Sequence, residues 1–157
     1  MLKKRIIPKL LIKDLTIGRN NREVLVITKK FNEIIPVGDP ISQAKVYESQ
    51  LADELILVNL SKNNKNSFLK TLETMAKTLA TPLAVGGNIK SIEEAEALFN
   101  YGADKLVINT GAISKPEMIS ELTRKYGSQS VCLAVDIHDE NGNIKIRGIE
   151  DTVQAED

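Results

Sequence analysis

The chain has 157 residues, with 21 Lys and Arg, 21 Asp and Glu, one His, one Cys, no Trp and 42% hydrophobic residues. This composition is typical of one globular domain, and its balanced charge argues against a surface for nucleic acid or an anionic membrane. No apolar run reaches the ~18 residues of a membrane-spanning helix. Pro8, Lys9 and Lys13 interrupt the N-terminal apolar run too early for a signal peptide. One Cys excludes an intramolecular disulfide, so a reducing, cytoplasmic compartment is the default. Cys and His are too few for a zinc site, and neither a metal nor a cofactor is expected.

Strand-like and helix-like segments alternate along the sequence. Five apolar, β-branched runs are predicted to be strands, at 5–12, 53–60, 81–87, 105–110 and 130–136. Four amphipathic segments with helix-start residues are predicted to be helices, at about 39–51, 67–79, 91–101 and 114–126. Strands that alternate with helices of this length predict βαβ units. The right-handed crossover of each unit places its two strands parallel, so we expect an α/β fold with a parallel sheet.

Two segments interrupt the alternation. Residues 13–37 form a long first loop that is polar near Gly18–Arg22 and strand-like near Val24–Thr28, so we expect an extended hairpin arm rather than a helix. Residues 137–149 contain Asn141-Gly142, which is a strong hairpin-turn signal between short apolar stretches.

The sequence also contains an internal repeat. The stretch from Ile41 to Leu57 resembles the stretch from Ile92 to Ile108 at a constant offset of 51 residues. A helix and strand repeated at that distance indicate that a pair of βα modules occurs twice. Duplication favours a (β/α) barrel, whose functional face lies at the C-terminal ends of the strands.

Polar and glycine residues follow the predicted third and fourth strands. Gly86-Gly87-Asn88 allows close approach of a ligand to the backbone, and Asn109-Thr110-Gly111 offers side-chain donors and N–H groups. Together these residues could bind a phosphate without a cation. The alternative is that the glycines serve only a tight turn after the strand.

Few titratable groups stand at the remaining strand ends. Asp136 ends the fifth strand, where it could be either a catalytic carboxylate or a turn cap. Leu11 and Ile12, at the end of the first strand, supply no second catalytic group. His138 is expected to be a solvent-exposed loop residue, and Cys132 an inert core residue.

Charged residues occupy equivalent early positions in three predicted strands. Arg5, Glu54 and Lys105 begin the first, second and fourth strands, and the repeat aligns Glu54 with Lys105. We expect their side chains to converge as a charged ring at the bottom of the barrel; the alternative is separate solvated charges.

The order and spacing of several motifs resemble one family over nearly the whole chain. The motifs are Met1-Leu2-x-Lys4-Arg5-Ile6-Ile7-Pro8-x-Leu10, Gly38-Asp39-Pro40, Asp53-Glu54-Leu55, Val85-Gly86-Gly87, Gly102-Ala103-Asp104-Lys105, Ile108-Asn109-Thr110 and Gly127-Ser128-Gln129-x-Val131. They resemble the cyclase subunit of imidazole glycerol phosphate synthase, an ammonia-using lyase of histidine biosynthesis. The resemblance covers the N-terminal half of that family's (βα)8 barrel.

The resemblance implies a partly conserved active site. The family's two catalytic aspartates fall on Leu11 and Asp136, so only the second carboxylate is present. By this resemblance, phosphate-binding positions of the substrate site fall on Gly86, Gly87, Asn109 and Thr110. A phosphate-binding lysine of the family's first loop falls on Ile27.

The resemblance also implies a partner and a branch of the family. Arg5, Glu54 and Lys105 match members of the ring that admits ammonia from a glutaminase (amidotransferase) subunit, and Asp104 matches a position facing that subunit. Leu11 and Phe31 suit a divergent branch associated with amidination of surface polysaccharides. Lys9 replaces a family cysteine, and Asn59 replaces an aspartate that is usual in that branch.

We therefore expect an incomplete (β/α)8 barrel over residues 1–157, with about four βα units, a fifth strand and a hairpin. The first and fifth strands would be open edges, so we expect homo-oligomerisation. The expected function is that of a cyclase-like protein with a phosphorylated small-molecule substrate and little turnover of its own. The alternatives are a non-catalytic half-barrel remnant and a scaffold that docks a glutamine amidotransferase.

Overall fold

A seven-stranded, mostly parallel sheet forms the centre of the molecule, with helices connecting its parallel strands. The computed structural model describes residues 4–17, 20–29, 33–61, 65–140 and 143–146. In those residues the strands are β1 (Lys9–Ile17), β2 (Asn20–Lys29), β3 (Glu33–Gly38), β4 (Leu55–Asn59), β5 (Leu83–Gly86), β6 (Lys105–Ile108), β7 (Val131–Leu133), β8 (Ile137–Glu140) and β9 (Asn143–Ile146). The helices are α1 (Pro40–Ser49), α2 (Lys65–Thr78), α3 (Ile92–Asn100), α4 (Thr110–Ser114) and α5 (Pro116–Tyr126).

The sheet has the strand order β3-β2-β1-β4-β5-β6-β7. The run from β1 through β4, β5 and β6 to β7 is parallel, whereas β2 is antiparallel to both β1 and β3. The sheet is open, and its parallel part with intervening helices is an incomplete (β/α) barrel. The predicted α/β fold class is confirmed.

Local sequence signals explain where the helices begin and end. The carboxylate of Asp39 accepts a hydrogen bond from the N–H of Ser42 at 2.7 Å, and Pro40 occupies the first turn of α1. Ser91 caps α3 in the same way, while Glu94 reaches back to the N–H of Lys90 at 2.8 Å. The α5 helix ends at Tyr126, and the next residue, Gly127, has a φ of 88° that favours glycine.

The hydrophobic core lies between the sheet and the helices. Alternating residues of β1 and β4 are buried against the helices, namely Leu10, Ile12, Leu55 and Leu57. Buried core residues of the helices include Ala44, Phe68, Leu72, Met75, Ala95, Leu98, Met118 and Leu122. Burying each of the Leu, Ile, Phe and Met side chains among them stabilises the fold by roughly 1.5–3 kcal/mol. The core therefore fixes which strand residues face the opposite side of the sheet.

The internal repeat of the sequence is present in the fold. The α1–β4 and α3–β6 units have the same order of elements, and Glu54 and Lys105 precede or begin the two strands. The Asn141-Gly142 turn lies outside the described residues, but β8 and β9 on either side of it pair antiparallel. The β8–β9 pairing matches the expected hairpin.

The extended arm expected within residues 13–37 is confirmed in the described residues, and it contains more strand than the sequence predicted. Here β1 continues to Ile17 and pairs antiparallel with β2 from Leu11↔Val26 to Ile17↔Asn20, and β3 has no counterpart among the predicted strands. The expectation that the first strand is an open edge is wrong for its last two residues, because Leu11 and Ile12 pair with β2 on one side and β4 on the other, whereas the described ladder with β2 does not reach Lys9 or Leu10. In the described sheet the outer strands are β3 and β7.

Candidate functional site

Asn109 and Asp136 meet at the C-terminal ends of β6 and β7. The side-chain amide Nδ2 of Asn109 donates a hydrogen bond to Oδ2 of Asp136 at 2.8 Å. Asp136 is exposed and Asn109 is half-buried. The regular part of the last parallel strand ends at Leu133 rather than at Asp136, although the N–H of Ala134 still bonds the carbonyl of Ile108 at 2.9 Å. The arrangement presents a carboxylate, held by a neutral donor, at the open end of the sheet.

The turn after β5 requires its glycines for packing. A Cβ atom at Gly87, which has a φ of 99°, would lie 2.1 Å from the carbonyl oxygen of Asn59, and one at Gly86 would lie 2.5 Å from that of Val107. Such distances are far below van der Waals contact. The tight-turn explanation therefore accounts for both residues, and their role in binding phosphate stays a prediction.

Asn88 extends this turn across the neighbouring strand end, a contact that the sequence patterns did not single out. Its φ of 54° lies in the left-handed region, which Asn tolerates better than most residues. Its Nδ2 lies 3.3 Å from the carbonyl oxygen of Asn59 and 3.2 Å from that of Ser61. An Asn directly after two glycines at a strand end is the sequence signal that predicts such a left-handed turn residue.

Thr110 begins the short helix α4 beside the Asn109–Asp136 pair. Its side chain is exposed, and its carbonyl accepts a hydrogen bond from Ser114 Oγ at 3.0 Å. A Cβ atom at Gly111 would lie 2.4 Å from the carbonyl oxygen of Ile89, so this turn packs against the one after β5. The predicted phosphate-binding residues thus follow two adjacent strands, β5 and β6.

Leu11 lies on the sheet face opposite the helix-side core. It is half-buried and pairs with Val26 in β2 and Val58 in β4. These neighbours are aliphatic, so this part of the sheet has no carboxylate that could act with Asp136. Ile27, which the resemblance aligned with a phosphate-binding lysine, has its side chain exposed on β2, and that alignment stays a prediction.

Two carboxylates that the sequence patterns missed face each other farther along β1. Asp14 and Glu23 are direct partners in the β1–β2 ladder, and Thr71 in α2 donates a hydrogen bond to Glu23 Oε2. Burial, together with the charge of Asp14, raises the pKa of Glu23 even though hydrogen bonds from Thr71 and Ser67 oppose that change. No local motif marks this pair, because it depends on the register between two strands.

The predicted charged residues come together at the opposite end of the sheet. Arg5 donates a hydrogen bond to the Glu54 carboxylate. The two oxygens of this carboxylate also lie 2.9 and 3.1 Å from Nζ of Lys105. The Glu54 side chain is 5% exposed, against 48% for Arg5 and 34% for Lys105. Burial alone would raise the pKa of Glu54, but the hydrogen bonds and charges of Lys105 and Arg5 outweigh it and lower the pKa.

Asp104 has a structural contact that the repeat reproduces. Its carboxylate accepts a hydrogen bond from the N–H of Leu83 at 2.8 Å, and the equivalent Asp53 accepts one from the N–H of Ile6 at 2.8 Å. Each aspartate therefore anchors the start of a neighbouring strand. The expectation that Asp104 faces a partner stays a prediction.

Two further residues were named from the sequence, Cys132 and His138. Cys132 is exposed, so its assignment to the core is wrong; β7 is an outer strand, and nothing in the described chain covers this residue. The side chain of His138 lies outside the described residues. Among the described residues no group of three or more His, Cys, Asp or Glu could hold a metal ion, and no helix is long and apolar enough to cross a membrane.

Comparison with known proteins identifies relatives along almost the whole sequence. Residues 5–157 match the family model described as "Histidine biosynthesis protein". The chain is 48% identical over 143 residues to the putative imidazole glycerol phosphate synthase subunit hisF2 of Prochlorococcus marinus strain MIT 9313, covering 90% of this chain and 55% of that protein. It is 38% identical over 138 residues to the imidazole glycerol phosphate synthase subunit HisF of Staphylococcus carnosus strain TM300, covering 87% and 51%.

A third relative gives the same coverage. The HisF subunit of Chloroherpeton thalassium strain ATCC 35110 is 40% identical over 139 residues, which cover 87% of this chain and 52% of that protein. The chain thus spans about half the length of the curated relatives it matches. The resemblance to the cyclase subunit of imidazole glycerol phosphate synthase is confirmed, and the chain belongs to the histidine biosynthesis protein family.

Proposed function

We propose that this chain is a cyclase-like member of the family that binds a phosphorylated small molecule at the C-terminal ends of its parallel strands. The observation that carries the proposal is the 2.8 Å hydrogen bond between Asn109 and Asp136, beside the turn after β5. Family membership and the location of these residues at the strand ends support it.

Asp136 is the acid–base group of the proposed site. Its carboxylate is exposed, so it is accessible to a substrate, and the amide of Asn109 fixes one of its oxygens. Gly86, Gly87 and Thr110 complete the phosphate-binding edge, with Thr110 supplying a hydroxyl and the glycines keeping side chains out of the way. Ammonia is the proposed co-substrate, as in the family.

The apolar neighbours of Leu11 support weak or absent cyclase turnover. General acid–base catalysis needs a second group across the site, and the Leu11, Val26 and Val58 side chains cannot transfer a proton. Loss of the first aspartate also supports membership of the polysaccharide-amidination branch. In that role the sugar substrate would differ from that of histidine biosynthesis while the phosphate-binding edge is kept.

The acid–base role is tested by the Asp136→Asn variant. If the parent chain has measurable ammonia-dependent turnover of the family's phosphorylated ribosyl substrate, we expect this variant to lower it by roughly 10²-fold or more, the usual contribution of such a group. The exposed Glu117 in α5 supplies the matched control, as Glu117→Gln, whose turnover should equal that of the parent chain. Unchanged turnover in Asp136→Asn would remove Asp136 from the mechanism.

A second candidate function is a scaffold that docks a glutaminase subunit. The cluster of Arg5, Glu54 and Lys105 supports it, because Glu54 holds the two cations together while both remain partly exposed at one end of the sheet. Asp104 is exposed at the same end. In this function the cluster would admit ammonia from the partner, and the chain itself would need no turnover.

Binding of a purified glutaminase subunit, measured by calorimetry, tests this candidate. We expect Lys105→Ala to weaken binding, whereas Lys77→Ala should leave it unchanged because Lys77 pairs with Glu73 on the exposed surface of α2. Equal affinities for the two variants would exclude the cluster as the docking surface. A chain that binds neither phosphate nor the glutaminase would be the non-catalytic remnant.

A further inference from the structure

The segment that follows β4 is fixed to β1 at the C-terminal end of the sheet. The N–H of Leu60 donates a hydrogen bond to the carbonyl of Ile12 at 2.8 Å, so the pairing of the two strands continues beyond the last residue of β4. Oγ of Ser61 accepts a hydrogen bond from the backbone N–H of Asp14 at 2.7 Å. This segment therefore cannot move along β1 without breaking both bonds.

Two buried polar side chains also fix the conformation of this segment from within. Asn59 is 5% exposed and Ser61 is 6% exposed. Oδ1 of Asn59 accepts a hydrogen bond from the N–H of Ser61 at 2.8 Å. Breaking a hydrogen bond at such buried positions leaves a polar group without a partner and costs its desolvation free energy. The carbonyl groups of residues 59 and 61 therefore have set positions.

Asn88 joins the turn after β5 to these two carbonyl groups. Its side-chain Nδ2 lies 3.3 Å from the carbonyl oxygen of Asn59 and 3.2 Å from that of Ser61. The backbone of Asn88 has a φ of 54°, a conformation that glycine adopts without steric cost but does not prefer strongly over others. The side-chain hydrogen bonds thus select one conformation at a position where a glycine would be free to change.

Both turns of the proposed phosphate-binding edge pack against residues 87–89. Gly87 lies on the backbone of Asn59, where a Cβ atom would be 2.1 Å from the carbonyl oxygen. Gly111, which follows Thr110, lies against the carbonyl of the buried Ile89, where a Cβ atom would be 2.4 Å from the oxygen. A shift of residues 87–89 would therefore displace the donors that follow β5 and those that follow β6.

We propose that Asn88 is a positioning residue, whose side-chain amide fixes the turn after β5 on the end of β4 before a phosphorylated ligand binds. This role rests on the proposed function, because it concerns the same binding edge. Donors that are already ordered in the free chain bind more tightly, since binding does not have to order them. The Asn88 amide is directed at the carbonyl groups of the β4 end, so it acts through the turn.

The Asn88→Gly variant tests this role, because it removes the amide while glycine still accepts the left-handed conformation. Asn100→Gly is the matched control. Asn100 is exposed at the end of α3 that is farther from the turn, where glycine lowers helix stability without altering the edge. Inorganic phosphate is titrated into the parent chain and both variants and followed by NMR. Hydrogen exchange of residues 87–89 is measured without phosphate and at saturation.

We expect Asn88→Gly to raise the Kd for inorganic phosphate by about 3- to 10-fold, because binding must then order a residue that is free in the unbound chain. Exchange at residues 87–89 should be faster than in the parent chain without phosphate and should return to the parent rate at saturation. A residue that only stabilised the fold would not produce this return. Asn100→Gly should bind phosphate as the parent chain does.

The possible failures of the two proposals are distinct. A parent chain that shows no saturable binding would contradict the proposed function, and the role of Asn88 with it. Saturable binding in the parent chain with an equal Kd in Asn88→Gly would overturn the role of Asn88 alone. That role is equally overturned if Asn100→Gly loses as much affinity as Asn88→Gly, or if exchange at residues 87–89 is the same in Asn88→Gly as in the parent chain.

Discussion

Neutralising Glu54 should destabilise the fold only at pH values where this carboxylate is ionised. At about 3 Å and an effective dielectric of about 20, each of two unit-charge pairs contributes an attraction of roughly 5 kcal/mol. Desolvation of Glu54 and the exposure of Arg5 and Lys105 cancel most of this, because partly exposed pairs are screened. We expect Glu54→Gln to lower the free energy of unfolding by about 1–3 kcal/mol at pH 7.

Urea unfolding of the parent chain and the variant across a pH series measures this effect. The folded-state pKa of Glu54 is lowered below 4.5, so its contribution is present above the unfolded-state pKa and is lost as the pH falls through the folded-state pKa. The difference between parent and Glu54→Gln should therefore shrink towards zero in acid. The exposed pair of Glu73 and Lys77 supplies the control, because Glu73→Gln should cost no more than about 0.5 kcal/mol at any pH. A Glu54→Gln deficit that persists undiminished in acid would refute the reasoning.

Four further substitutions have distinct expected outcomes. Glu23→Gln should raise the free energy of unfolding near pH 7, because the raised pKa of Glu23 makes its ionised form unfavourable in the folded chain. This gain in stability should fade in acid, where Glu23 is protonated. Urea unfolding at two pH values measures it, and a gain that is larger in acid than at pH 7 would contradict the prediction. Gly87→Ala should lower the free energy of unfolding by about 1–3 kcal/mol, because Gly87 has a positive φ and lies close to the carbonyl of Asn59. A thermal midpoint equal to that of the parent chain would contradict this prediction. Asp104→Asn and Asp53→Asn should each cost about 1–3 kcal/mol by weakening one hydrogen bond to a backbone N–H, so a marked difference between their urea midpoints would show that the repeated contacts are not equivalent.

The sequence was sufficient to predict the repeating βα units because each has its own local signals. The apolar run from Leu55 to Val58 and the cap at Ser91 act within a few residues. The repeat added the long-range information that Glu54 and Lys105 occupy equivalent positions. For this reason the cluster at that end of the sheet could be expected before any coordinates.

The pairing of the arm could not be predicted in the same way. Ile34, Ile35 and Val37 surround Pro36 in a short run, and nothing local shows that this run pairs with β2 rather than ending in a loop. The contact of Glu23 with Thr71 and its position opposite Asp14 depend on that register. Exposure of Cys132 likewise depends on which strand lies at the edge of the sheet, which is a property of the whole topology.

A phosphate titration followed by NMR tests the proposed binding edge most directly. On adding inorganic phosphate to the chain, we expect saturable shifts of the backbone amides of Gly87, Thr110 and Gly111 and of the side-chain amide of Asn109. Amides of Asp53 and Lys105, at the opposite end of the sheet, should not move and serve as the internal control. An absence of saturable shifts at Asn109, or shifts of equal size at both ends of the sheet, would contradict the proposal that these strand ends bind phosphate.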